Sequence, residues 1–99
     1  MTINVLLQQE ALIEFCERRP IQRLALFGSV LRGEFSDASD IDFLVEFLPD
    51  AAIDLFDMVE MGSELTDIMG RPVDLRTPAE LSRYFRQDVL NNAQTIYER

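Results

Sequence analysis

Apolar positions at the start of the chain recur at helical spacing. Between Thr2 and about Arg18, residues Val5, Leu12, Phe15 and Cys16 share one face of a predicted helix. Pro20 ends it, because proline has no amide proton to continue the ladder and crowds the preceding turn. The period then changes. Ile21 to Phe27 reads as a strand, and its unbroken run Leu24, Ala25, Leu26, Phe27 is the pattern of a strand covered on both faces. Gly28-Ser29 breaks that run, Ser29 to Arg32 predicts one or two helical turns, and 33–39 is a polar turn rich in Ser and Asp. From Asp40 to Phe47 the chain alternates. Ile41, Phe43, Val45 and Phe47 fall on one face of a strand, and Asp40, Asp42, Leu44 and Glu46 on the other.

Pro49 closes that strand, and Asp54 to Met69 returns to helical spacing, with Leu55, Val59, Gly62, Leu65 and Met69 along one stripe and Gly70 as the stop signal. Phe56, Met58, Met61 and Ile68 lie partly off that stripe. They fit either a broad core stripe between sheet and helix or a protein-binding surface. Pro72 to Arg76 predicts a short strand with Val73 and Leu75 on one face and Asp74 and Arg76 on the other. Thr77-Pro78-Ala79-Glu80 has the form of a capping box with proline at the first helical position, which predicts a helix start. Arg83 to Asn92 reads as helical and Thr95 to Glu98 as a last short strand. Strands alternating with helices can signal a doubly wound parallel sheet. The uneven connections here point instead to an α+β fold, a mixed sheet flanked by helices, in one small domain spanning 1–99.

Charge narrows the chemistry. Among 99 residues, 18 acids face nine basic residues, giving a net charge of −9. That balance opposes stable nucleic-acid binding through phosphate contacts. It leaves room for an enzyme that holds an anionic substrate through divalent cations, since bound metal inverts the local field. The sequence has no histidine, which removes Ser-His-Asp and Cys-His mechanisms and histidine-based zinc sites. The single cysteine, Cys16, precludes an intramolecular disulfide and fits a reducing compartment. No stretch approaches the ~20 apolar residues of a membrane span, and no signal-peptide pattern opens the chain. A cytoplasmic protein is the expectation.

Asp40 and Asp42, two residues apart on a strand, project from one face with Cα atoms ~6.5–7 Å apart. Their oxygens can then converge on two cations ~3.5–4 Å apart, the spacing of a two-metal phosphoryl-transfer site. The wholly apolar opposite face locks the register, because a one-residue slip would bury both acids. Asp74 occupies the equivalent face of the short strand that follows. Three carboxylates gathered there would repel unless metal neutralised them. Taken alone, Asp-x-Asp also fits a turn, a solvated strand face or a calcium loop, although the glycine and terminal glutamate of an EF-hand do not follow. Upstream, Gly28-Ser29 at the mouth of a helix offers amides and a hydroxyl to a phosphate; taken alone, the dipeptide fits a plain helix N-cap by Ser29 better.

Phe27-Gly28-Ser29, ten intervening residues, then Asp40-Ile41-Asp42-Phe43 resembles the signature of DNA polymerase β-type nucleotidyltransferases. The fuller stretch Phe27-Gly28-Ser29-Val30-Leu31-Arg32-Gly33, closing on Ser39-Asp40-Ile41-Asp42, is similar to the minimal nucleotidyltransferase (MNT) branch. The likeness runs on to Val73-Asp74-Leu75, where that family places its third carboxylate. It implies a polymerase β-like fold and a site in which Asp40 and Asp42 hold two Mg²⁺ ions. Asp74 would complete the nucleophile-side ion and help deprotonate the attacking hydroxyl, while Gly28 and Ser29 hold the triphosphate of ATP. Arg32 and Arg76 could touch phosphate, or pair with Glu34 or Asp37 and with Glu46 respectively. Ser39 and Asp37 read as turn residues.

The family's larger members carry a further domain for the acceptor, for which 99 residues leave no room. The resemblance therefore implies an acceptor supplied by a partner. In this branch that partner is often a HEPN-domain ribonuclease toxin, neutralised by transfer of AMP from ATP onto a tyrosine. An antitoxin acting by contact alone, or an enzyme that modifies a small molecule such as an aminoglycoside, are the alternatives.

Overall fold

In the computed structural model, which describes residues 8–28 and 40–99, four strands form one sheet in the order β3-β2-β1-β4. Helix α1 (Gln9–Glu17) leads into β1 (Ile21–Phe27). After the undescribed segment come β2 (Ile41–Phe47), helix α2 (Leu55–Met69) and β3 (Val73–Arg76). A single 3-10 turn (Pro78–Glu80), helix α3 (Arg86–Asn92) and β4 (Gln94–Glu98) complete the chain. β1 runs antiparallel to both β2 and β4, whereas β2 and β3 are parallel. The sheet is thus mixed, as the uneven connections predict. The parallel pair is joined through α2, which runs back along the sheet as parallel strands require.

Strand alternation divides the core. Leu24 and Leu26 of β1 and Ile41, Phe43 and Val45 of β2 join Leu12, Phe15 and Cys16 of α1 and Met61, Leu65 and Met69 of α2 in the larger cluster. On the opposite face, Ala25 and Leu44 pack with Leu81, and Phe27, Val89, Leu90 and Ala93 close around them. Coverage on both sides accounts for the unbroken apolar run in β1. Burial pushes the Cys16 thiol up to about 12, against a smaller opposing pull from Arg99. It is therefore a packing residue and no nucleophile.

Asp54 caps α2: its side chain accepts from Asp57 N–H at 2.9 Å, and Asp57 accepts from Asp54 N–H at 3.0 Å. Gly70, with φ of 71°, ends the helix in the left-handed conformation that favours glycine.

Two sequence expectations are corrected. The buried stripe of α2 is Met61, Leu65 and Met69, supported by Met58 and Ile68, whereas Leu55 and Val59 are exposed together with Phe56. The helix rests on the sheet along its second half, so its first turns project past the core. Downstream, Thr77 N–H does bond to Glu80 Oε1 at 3.0 Å, but only the 3-10 turn follows. Leu81 then turns extended and is drawn into the second core cluster, which delays α3 to Arg86. At the N-terminus, 1–7 lie outside the described residues, including Val5. Among the described residues no helix is long and apolar enough to cross a membrane.

Candidate active site

The register of the β2–β3 pair sets Asp42 opposite Asp74. Partnered residues in a parallel ladder project to the same side, so both carboxylates leave the face that carries Leu44 and Arg76. Their neighbours Ile41, Phe43, Val73 and Leu75 all turn to the helix-covered face. A one-residue slip of either strand would bury a carboxylate there, which is why the alternation fixes this placement. Asp40 sits one residue before β2 and is exposed, while Asp42 is half-buried.

Across the other edge of β2, Asp42 is paired with Phe27, and Gly28 follows directly. Gly28 has φ of 81°, in the region open to glycine. A Cβ built there would collide with Asp42 Oδ2, with Cγ only 3.1 Å away. The Gly28 backbone therefore lies directly against the Asp42 carboxylate, a juxtaposition of residues distant in sequence.

Arg76 occupies Asp74. Its Nε donates to Oδ1 at 3.3 Å and Oδ2 at 3.2 Å. The pairing with Glu46 that the sequence left open is not observed. Glu46 pairs with Arg23 Nη1 at 3.2 Å, whose Nε also donates to Thr95 Oγ1 at 2.9 Å. With Asp74 held this way, no group of three or more acids among the described residues is gathered for one ion. The backbone brings Asp42 and Asp74 together with Asp40 close by, but the side chains do not converge. The donor set still fits Mg²⁺: carboxylate oxygens are the ligands that hard cation takes, and Asp42 and Asp74 are already side by side.

Ser29, Arg32, Glu34, Asp37 and Ser39 lie outside the described residues. The cover over the middle of the carboxylate face, Leu81 over Ala25 and Leu44, went unrecognised in the sequence. Leu81 shares helical spacing with Tyr84, Phe85 and Val89, so its pattern does not reveal that it turns extended and packs on the sheet.

A mixed sheet with an acidic pair on adjacent parallel strands, abutted by a glycine at the end of the preceding strand, is the arrangement of a nucleotidyltransferase. Residues 9–96 match the family model described as nucleotidyltransferase domain, and the chain belongs to that family. It is 32% identical over 96 residues to a Methanocaldococcus jannaschii protein to which protein adenylyltransferase activity is attributed, covering 97% of this chain and 99% of that one. Protein adenylyltransferase MntA of Thermococcus cleftensis is 32% identical over 77 residues, 78% of this chain and 76% of its own. A solved structure attributed to a minimal nucleotidyltransferase superposes with a TM-score of 0.75 at 33% identity, covering 94% of both chains. A toxin–antitoxin crystal structure with AMP-PNP shares the fold, with a TM-score of 0.74 at 22% identity over 92% of this chain and 73% of that one. The protein is a transferase of nucleotidyl groups.

Proposed function

We propose that this nucleotidyltransferase moves AMP from ATP onto a hydroxyl of a protein partner, acting in the cytoplasm as the antitoxin of a HEPN-domain toxin, with a toxin tyrosine as acceptor. The observation that carries the reading is the register of Asp42 with Asp74, with Gly28 set against Asp42. The attribution of protein adenylyltransferase activity to relatives, and the toxin–antitoxin complexes sharing the fold, support the choice of acceptor.

Asp40, Asp42 and Asp74 would hold two Mg²⁺ ions, which when bound neutralise charge on the phosphates and acidify the attacking hydroxyl. The residues of the chain supply the remainder. Asp74, released from Arg76, takes the proton of the acceptor hydroxyl. The oxygen forms a bond to the α-phosphorus as the bond to the β-phosphate bridging oxygen breaks, and pyrophosphate leaves. Gly28 and Ser29 hold the triphosphate through backbone amides and the serine hydroxyl. Such chemistry is mainly positioning and charge neutralisation, so few further side chains are required. Incubation with α-labelled ATP, Mg²⁺ and the co-expressed HEPN protein tests this: label on the partner supports the reading, and an unlabelled partner opposes it.

One observation favours a second reading. The Asp74–Arg76 pair neutralises an acid without metal, as a contact-only antitoxin would permit. Such a protein would neutralise its toxin equally well with Asp40 and Asp42 replaced by alanine.

A further inference from the structure

The chain has two tyrosines, and the sheet separates them. Tyr97 on β4 is the register partner of Leu24 and packs with the helix-covered core. Its hydroxyl accepts from Arg99 Nε at 3.0 Å. Tyr84 belongs to the segment that crosses the other face, the one from which Asp42 and Asp74 project. That segment is anchored there on both sides of Tyr84: Leu81 packs on Ala25 and Leu44, and Val89 and Leu90 join the same cluster. Leu44 and Asp42 are two residues apart on β2, roughly 6.5–7 Å along the strand.

Between those anchors Tyr84 is 82% exposed and Phe85 50%, so core packing does not account for the tyrosine. Arg83 Nη2 donates to its hydroxyl at 3.2 Å, and the Arg83 guanidinium lies 5.1 Å from the ring centre. Both contacts come from a sequence neighbour and hold the ring without covering it. Arg86 donates to the Leu81 carbonyl at 3.0 Å. Neither of these bonds goes to a carboxylate. Tyr84 is therefore an exposed phenol flanked by two positive charges, in a chain whose net charge is −9.

An acceptor hydroxyl has to be reachable, because the phosphorus it attacks must come into contact with it. Its surroundings should suit the site it enters, which holds Asp40, Asp42 and Asp74 and would hold the phosphates of ATP. The arginines beside Tyr84 supply that complement. The product is a phosphodiester with one negative charge, and Arg83, already bonded to the phenol oxygen, is placed to pair with it. Because Tyr84 stands out in solvent, the site it meets is that of another copy. Transfer needs only a passing encounter, so no stable dimer is implied.

We propose that Tyr84 is a self-modification site, to which one copy of the chain transfers AMP from ATP bound by another. The inference rests on the proposed transfer to a tyrosine hydroxyl. The Tyr84 oxygen forms a bond to the α-phosphorus as the bond to the oxygen bridging to the β-phosphate breaks. Pyrophosphate leaves with that electron pair, and the phenolic proton passes to Asp74 of the copy that holds ATP.

The test incubates the chain alone with ATP and Mg²⁺ and weighs its tyrosine peptides by mass spectrometry. AMP is expected on Tyr84 and not on Tyr97, and Tyr84→Phe should abolish it. A mixture then separates the copies. The Asp40→Ala, Asp42→Ala variant should gain AMP on Tyr84 only when mixed with a tagged Tyr84→Phe chain that has its acids intact. Nitration of the metal-free chain by tetranitromethane should take Tyr84 before Tyr97. An unmodified Tyr84, AMP on Tyr97 in its place, no transfer in the mixture or the reverse order of nitration overturns the proposal. A parallel reaction with the HEPN protein distinguishes the two readings. A modified HEPN protein beside an unmodified Tyr84 removes this inference alone, whereas no modification of either removes both.

Discussion

Asp42 and Asp74 are register partners across the parallel β2–β3 pair, so two acids 32 positions apart in the chain leave the same face of the sheet side by side. Like charges directly opposed on neighbouring strands destabilise a sheet. Arg76 relieves part of that repulsion through its bond to Asp74. Replacing one acid should therefore cost the fold little. Asp42→Asn is expected to lower transfer at least about a hundredfold, the loss typical when one preorganised electrostatic contact is removed. Its melting temperature should stay level or rise. Mg²⁺ with ATP should raise the wild-type midpoint by mass action and leave that of the variant unmoved; differential scanning fluorimetry reads both.

In the proposed site Arg76 would compete with a cation for Asp74. The pair is partly exposed, and such pairs contribute about 0–1 kcal/mol. Arg76→Ala should accordingly shift the Mg²⁺ concentration for half-maximal transfer downward by roughly two- to fivefold, within that range. An upward shift would mean that Arg76 serves the substrate instead.

Gly28 is constrained twice, by its positive φ and by the carboxylate beside it. Gly28→Ala should cost about 1–2 kcal/mol from backbone conformation alone, and the added Cβ must displace Asp42. A fall of roughly 5–15 °C in melting temperature is expected for a domain of this size. Calorimetry on the folded fraction should also show weakened ATP binding. Unchanged affinity would remove Gly28 from the phosphate site.

Glu64 ties α2 to the end of α1. Burial pushes its carboxyl up, but hydrogen bonds from Arg19 at 2.6 Å and Arg18 at 2.7 Å outweigh that and hold it below its ordinary 4.5. A depressed carboxyl stabilises the fold above its unfolded value and loses that contribution as pH falls through its folded one. Glu64→Gln should therefore be less stable than wild type at neutral pH. The gap should narrow as pH drops below about 4.5, as urea denaturation across that range will show.

Alternation made β2 legible from sequence, because Ile41, Phe43 and Val45 had to face the core and so placed Asp40 and Asp42 on the other side. The same logic located Asp74 between Val73 and Leu75. The sheet order was not legible, since nothing local in β1 states that it pairs antiparallel to both neighbours. The stripe of α2 was misread because Leu55 and Val59 satisfy helical spacing equally well. Only the position of the helix on the sheet decides that Met58 and Met61 are inside. Nor could residue type show that Arg76 would turn to Asp74 while Glu46 took Arg23, for both acids share its face.

The most direct measurement is transfer itself. The chain is co-expressed with the proposed HEPN partner, either as wild type or as the Asp40→Ala, Asp42→Ala double variant, and the partner is weighed intact by mass spectrometry. The account predicts AMP-sized additions on a partner tyrosine with wild type, none with the double variant, and loss of neutralisation in parallel. An unmodified partner that both proteins neutralise equally would contradict it.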